Sequence, residues 1–199
     1  MSAFPVIRTR ATPLLVDNID TDVITPIGRV LEGQEAMVKF AFEPMRFDAS
    51  GALRADCPLN DPAYAASQVL IAGDNFACGS SRETAVWAVK GMGFRAVIAP
   101  SFGDIFYSNC PKNGVLPISL PLGDVQALAD LAERGAEIQI DLSAQRLASG
   151  DLDLAFTIAP LRKEGLLLGL DELGLIERRR TALDRFEQDD RVSRPWVYL

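Results

Sequence analysis

Between residues 68 and 120, three short apolar runs alternate with two stretches whose apolar residues recur at helical spacing. Gln68-Val69-Leu70-Ile71-Ala72, Arg95-Ala96-Val97-Ile98-Ala99 and Val115-Leu116-Pro117-Ile118-Ser119-Leu120 read as buried strands. Ala85, Val86, Trp87 and Val89 mark a helix over 82–92. A second helix runs from residue 101 to about 110, with Ser101 as its N-cap and Asp104 at the capping-box position. Strands joined through helices are confined to a parallel sheet with right-handed crossovers. The fold class is therefore α/β, with a parallel-rich central sheet flanked by helices. Ligands of such sheets collect beyond the carboxyl ends of the strands, which points to the loop 73–81.

The flanks are less regular. Residues 6–16 read as a weak first strand, and 17–22 as a polar turn. Residues 28–61 carry Pro44, Gly51 and Pro58 and suggest one helix near 35–42 in a long excursion. Long irregular segments inside compact domains are often functional. Beyond the centre, an amphipathic helix over 124–134 ends at Gly135. Strands are expected at 137–142 and 153–158, with Ser149-Gly150-Asp151 turning between them. Pro160 opens a helix to Leu168, and 177–190 reads as a charged helix. The closing Pro195-Trp196-Val197-Tyr198-Leu199 is apolar and packs either on a partner or back on the body. A length of 199 residues suits one domain, with a core of about 6–160 and a helical extension over 160–199.

Composition removes several functions. There are no histidines. That excludes Ser-His-Asp triads, Cys-His dyads and His-ligated metals within the chain, unless a partner supplies the group. A net charge of −7 without a basic stripe argues against nucleic acid or an anionic membrane as partner. No apolar run approaches the ~20 residues that span a bilayer. The first residues, Met1-Ser2-Ala3-Phe4-Pro5, lack the pattern of a signal peptide, so a cytoplasmic location is expected. Cys57, Cys78 and Cys110 are odd in number, widely spaced and without a CxxC pair. They form neither a disulfide framework nor a metal or iron–sulfur ligand set.

Three constellations stand out. Asn75-Phe76-Ala77-Cys78-Gly79-Ser80-Ser81-Arg82-Glu83 follows a strand and opens a helix. Gly79 permits an unusual backbone, the helix start favours an anion, and Arg82 can grip a carboxylate through two hydrogen bonds. This reads as a carboxylate or phosphate cradle, or more plainly as a serine cap beside a surface arginine. Asn18-Ile19-Asp20-Thr21-Asp22 spaces three polar side chains alternately, but the rest of a calcium loop is absent. It is either an Asx-rich turn or a carboxylate placed near the cradle. In the third, Ser101-Phe102-Gly103-Asp104-Ile105-Phe106-Tyr107-Ser108-Asn109-Cys110, the apolar residues are mostly core. Asn109 and Lys112-Asn113-Gly114 read as a helix C-cap.

Occurring in this order, the three segments resemble the small subunit of 3-isopropylmalate dehydratase, which is similar to the swivelling domain of aconitase. Lys163-Glu164-Gly165 and Gly169-Leu170-Asp171-Glu172 resemble its C-terminal segment. The resemblance covers roughly residues 6–177. It implies a hydro-lyase that moves a hydroxyl between adjacent carbons of 2- and 3-isopropylmalate, in leucine biosynthesis. It also implies a separate large subunit that carries a [4Fe-4S] cluster and the missing histidines. Ser80 resembles the general base, Arg82 the grip on a substrate carboxylate, and Asp22 an active-site carboxylate. Thr21, Gly79 and Ser81 would lie around the substrate. Arg29 and Leu31 belong to Gly28-Arg29-Val30-Leu31-Glu32-Gly33-Gln34, where the family shapes substrate choice. Two departures stand out: Thr84 replaces the family's usual histidine, and Glu32 and Glu35 add negative charge near a dianionic substrate. They keep two alternatives in view. One is the same chemistry on citraconate, dimethylmalate or a citrate-like acid. The other is a non-catalytic regulatory paralogue that binds the large subunit. A free-standing anion-binding module is a third and would bind carboxylates tightly by itself.

Overall fold

The computed structural model describes residues 2–79 and 82–198. Strand β1 (Ile7–Leu14) leads into four short helices, α1 (Thr21–Ile24), α2 (Ile27–Leu31), α3 (Gln34–Lys39) and α4 (Glu43–Arg46). Then come β2 (Val69–Ala72), α5 (Glu83–Gly91), β3 (Ala96–Ala99), α6 (Asp104–Lys112), β4 (Leu116–Ser119) and α7 (Leu122–Glu133). The chain continues through β5 (Glu137–Asp141), β6 (Arg146–Ser149), β7 (Leu152–Ala155), α8 (Pro160–Leu168), α9 (Glu172–Glu177) and α10 (Arg180–Ser193).

The strands form one sheet in the order β4-β3-β2-β1-β5-β6-β7. β1 to β4 pair in parallel, and β5 to β7 add an antiparallel wing on β1. The central strands are buried on both faces because side chains alternate across a strand. Val69, Ile71, Ala96 and Ile98 face one core cluster with Val125, Leu128 and Ala129 of α7. Leu70, Ala72, Val97 and Ala99 face the other with Val86 and Val89 of α5 and Phe106 of α6. Each fully buried Ile, Leu or Val contributes about 1.5–3 kcal/mol. Both crossover helices, α5 and α6, therefore cover one face, so β2, β3 and β4 step outward in one direction. Helix α7 crosses the opposite face back to β1 and β5.

Two local expectations fail for identifiable reasons. Ser101 does not cap α6; the cap position is Gly103, with no side-chain bond. The Ser101 hydroxyl instead donates to the Asp74 carboxylate at 2.6 Å and accepts from the Asn75 N–H at 2.9 Å. The other departure is β6, which sequence periodicity leaves unmarked because only Leu147 and Ser149 of its four residues are buried. The turn through Gly150 joins β6 to β7, rather than β5 to β7.

At the C-terminus, α10 buries only Asp190. The tail folds back on this helix: the Tyr198 hydroxyl donates to Asp190 at 2.9 Å, and Arg194 donates to it at 2.6 Å. Trp196 and Val197 stay exposed. No described helix is long and apolar enough to cross a membrane.

Candidate active site

The loops that leave the carboxyl ends of β1, β2 and β3 are bonded edge to edge. The β2 loop lies in the middle. On one side, the Asn18 N–H donates to the Asp74 carbonyl (2.9 Å), Ala77 N–H to Ile19 (2.7 Å) and Thr21 N–H to Cys78 (3.0 Å). On the other, the Phe76 N–H donates to the Ser101 carbonyl (3.0 Å) and Gly103 N–H to Phe76 (2.9 Å). Side chains add to this: the Asp74 N–H donates to Asp17 at 2.7 Å, and Asn75 Nδ2 to Asn18 Oδ1 at 2.8 Å. The sheet order β1-β2-β3 thus continues past the strand ends as a stitched platform.

This platform demands unusual backbone. Asn75, Ala77 and Gly79 all have positive φ, at 53°, 56° and 89°. Asparagine and glycine visit this region readily; alanine does so at a cost of about 1–2 kcal/mol. Residues strained in this way cluster at functional sites. Two glycines make the close approach possible. A Cβ on Gly73 would meet the Val16 carbonyl carbon and oxygen at 2.5 Å. A Cβ on Gly103 would overlap the Ala77 carbonyl oxygen.

Arg82 and Asp22 meet at this junction. Asp20 caps α1, accepting from the Val23 N–H at 2.8 Å, which places Asp22 in the first turn. Arg82 occupies the cap position of α5 in extended conformation. Its guanidinium donates to Asp22 Oδ1 and lies 3.5 Å from the Thr25 carbonyl oxygen. The Asx-turn and site readings of residues 18–22 are therefore compatible: Asp20 supplies the turn and Asp22 reaches the arginine. Thr21 is buried, and a Cβ on Gly79 would lie 3.9 Å from its Oγ1. Ser80 and Ser81, the expected base and its neighbour, lie outside the described residues. Thr84, where the resemblance implies a histidine, is the second residue of α5. Its hydroxyl oxygen is buried and has no hydrogen-bond partner among the described residues, as is also true of Thr25.

Arg29 is held differently. Its guanidinium donates to both carboxylate oxygens of Glu43, at 2.9 and 2.5 Å, and to Glu32 at 2.7 Å. It also lies 3.9 Å from the centroid of the Phe40 ring. The hydrogen bonds that Arg29 donates to Glu43 and then to Glu32 push its pKa up, and accepting from Arg29 holds Glu43 below the usual carboxylate range. Leu31 projects outward with 84% of its surface exposed. Glu35 is exposed on α3.

Sequence reasoning missed several residues that build the platform. Asp74 accepts from Ser101, and Asn18 and Asn75 take left-handed backbone and bond to each other. The available signal was their residue type, since asparagine tolerates positive φ better than most residues. Asn113 caps the end of α6 as expected, and its amide also bonds to Trp87 and Glu83 of α5. Cys57 and Cys110 are buried and Cys78 is half-buried, all as free thiols. No group of three or more Cys, Asp or Glu among the described residues is placed to hold a metal ion.

Comparison with known proteins gives a consistent family. Residues 33–123 match the aconitase C-terminal domain. The 3-isopropylmalate dehydratase small subunit of Rhodospirillum centenum is 45% identical, with 99% of both chains covered. That of Roseobacter denitrificans is 43% identical over 99% of this chain and 100% of its own. The crystal structure of 3-isopropylmalate dehydratase from Methanocaldococcus jannaschii shares the fold, with a TM-score of 0.66 at 24% identity, covering 91% of this chain and 99% of that one. On these full-length matches, the chain belongs to the family of 3-isopropylmalate dehydratase small subunits.

Proposed function

We propose that this chain is the small subunit of a hydro-lyase that interconverts 2- and 3-isopropylmalate in leucine biosynthesis. The observation that carries the reading is the 45% identity to a small subunit of that name along 99% of both chains. The site reading adds the meeting of Asp22 and Arg82, which lie 60 residues apart in sequence.

In this reading the chain supplies half of an active site. Arg82 grips a substrate carboxylate, taking it in place of Asp22, whose own side chain can turn to solvent. The Asp22 side chain is 59% exposed. Ser80 removes the proton α to a carboxylate. A serine hydroxyl is a weak base in water, so its alkoxide needs the positive charge of Arg82 and the N–H groups at the start of α5. Asp22, once released, stays beside the reacting carbons as a carboxylate. Gly79, Ser81 and Thr21 shape the turn around the substrate, and Leu31 offers an apolar surface to its branched side chain. Arg29 borders that surface with its charge already engaged.

The partner is a large subunit. A [4Fe-4S] cluster held there would polarise the substrate hydroxyl that leaves as water. This chain's described residues do not fit such a cluster, since its buried cysteines lie in the core and no ligand group surrounds them. We also read the chain as cytoplasmic and as a single domain, with a core of about 6–160 and a helical extension over 160–199. Neither nucleic acid nor membrane is a partner in this reading.

Anaerobic co-expression with the large subunit tests the proposal. Conversion of 3-isopropylmalate that disappears in Ser80→Ala is the expected result. Turnover of citraconate or dimethylmalate without isopropylmalate would select the related-substrate reading, which the carboxylates around Arg29 favour. A complex that forms without turnover of any of these acids would select the regulatory reading.

A further inference from the structure

We propose that Asn113 is a positioning residue for Arg82, acting through Glu83. The proposal rests on the reading of Arg82 as the carboxylate grip. Asn113 sits at the end of α6, away from the platform loops, yet every polar atom of its side chain is used. Its Oδ1 accepts from Trp87 Nε1 at 3.0 Å. Its Nδ2 donates to Glu83 Oε1 at 2.8 Å and to the Asn109 carbonyl at 3.0 Å. The amide orientation is dictated by its neighbours. Indole N–H only donates and a carboxylate only accepts, so a flipped amide would face like groups on both sides.

The bonds fall at a consequential place. Arg82, at the cap position of α5, makes no side-chain cap bond, so among the described residues the first turn is held by contacts to other elements. Arg82 and Glu83 are adjacent there and are drawn in different directions. Arg82 reaches Asp22 of α1, whereas Glu83 reaches Asn113 at the end of α6. Trp87, one turn along α5, bonds the same asparagine. Two points of α5 one turn apart are thus fastened to one residue, which fixes both the height and the rotation of the first turn. Arg82 inherits that rotation. A carboxylate that displaces Asp22 removes the ion pair on the α1 side, while the Asn113 bonds still hold the turn from the α6 side.

The test is a double-mutant cycle in the complete complex with the large subunit, reading kcat/KM for 3-isopropylmalate. Asn113→Asp keeps the shape and the acceptor for Trp87 but sets a carboxylate against Glu83. It should lower kcat/KM on the order of tenfold, because small misplacements of a positioning group are costly in rate. Glu83→Gln keeps an acceptor for Asn113 and should stay within about twofold of wild type, while Glu83→Ala should repeat the loss. In an Arg82→Lys background, Asn113→Asp should cost less than about twofold further. An equal tenfold loss in that background, or no loss in the wild-type background, would overturn the proposal. If Asn113→Asp fails to fold, the Glu83→Gln and Glu83→Ala pair decides by the same criterion. An Arg82→Lys variant with full activity would instead defeat the reading of Arg82, whatever Asn113 does.

Discussion

Arg82 at the cap of α5 is paired with α1, and Arg29 on α2 with α4, and the two are held in opposite ways. Arg82 has Asp22 as its carboxylate partner, with the Asp22 side chain 59% exposed. Arg29 is enclosed by Glu43 and Glu32 and rests on the Phe40 ring. The first cluster sums to zero charge and the second to −1, counting one arginine against one and two carboxylates. A dianionic substrate therefore meets a neutral pair at Arg82 and an excess of negative charge at Arg29. The Arg82 side chain is 22% exposed and that of Asp22 59%, so in the proposed reading Asp22 is the member of the pair that turns to solvent when a substrate carboxylate takes its place. Freeing Arg29 means undoing three hydrogen bonds to two carboxylates. Which arginine serves a ligand is decided by its partners more than by its presence in a motif.

The largest expected effect lies on the Arg82 side. Ser80→Ala should lower kcat on the order of a thousandfold in the complex with the large subunit, as expected for loss of a positioned base. Next is the platform itself. Gly103→Ala places a methyl group against the Ala77 carbonyl. It should destabilise the fold by about 2–3 kcal/mol in urea titration, as overpacking does. The α2 region should behave in the opposite sense. A Cβ on Gly28 meets nothing within 4 Å, and Gly28 lies inside α2. Gly28→Ala should therefore stabilise by about 0.5 kcal/mol in the same titration. The smallest effect is electrostatic. The Glu43 pKa is lowered by its hydrogen bond to Arg29, so its stabilisation is present above the ordinary carboxylate pKa and is lost as pH falls through the folded value. The gap in melting temperature between wild type and Glu43→Gln should close as pH falls below the ordinary carboxylate range. A gap that widens on acidification would show the sign to be wrong.

The strands β2 and β3 were legible because they are buried on both faces and read as uninterrupted apolar runs, and β4 because three of its four residues are buried. Helix α8 was legible from Pro160 at its start, and it ends at Leu168 as read, with Gly169 beyond it in left-handed conformation. Strand β6 was not, since an edge-side wing needs few apolar residues. Ser101 misled because capping rules are local, whereas its hydroxyl is claimed by Asp74 and Asn75 of another loop. The site motifs were legible as segments. Their geometry was not: no periodicity links Asp22 to Arg82, or Asn113 to Glu83, across 60 and 30 residues. The saturation of Arg29 was equally hidden, because Glu43 lies 14 residues away on a different helix.

The most direct test of the contrast is to replace each arginine by lysine and compare kcat/KM for 3-isopropylmalate in the reconstituted complex. Lysine keeps the charge and loses the two-pronged geometry. Arg82→Lys should lower kcat/KM about a hundredfold, and Arg29→Lys no more than about threefold. A larger loss from Arg29→Lys than from Arg82→Lys would contradict the assignment of Arg82 as the residue that holds the substrate carboxylate.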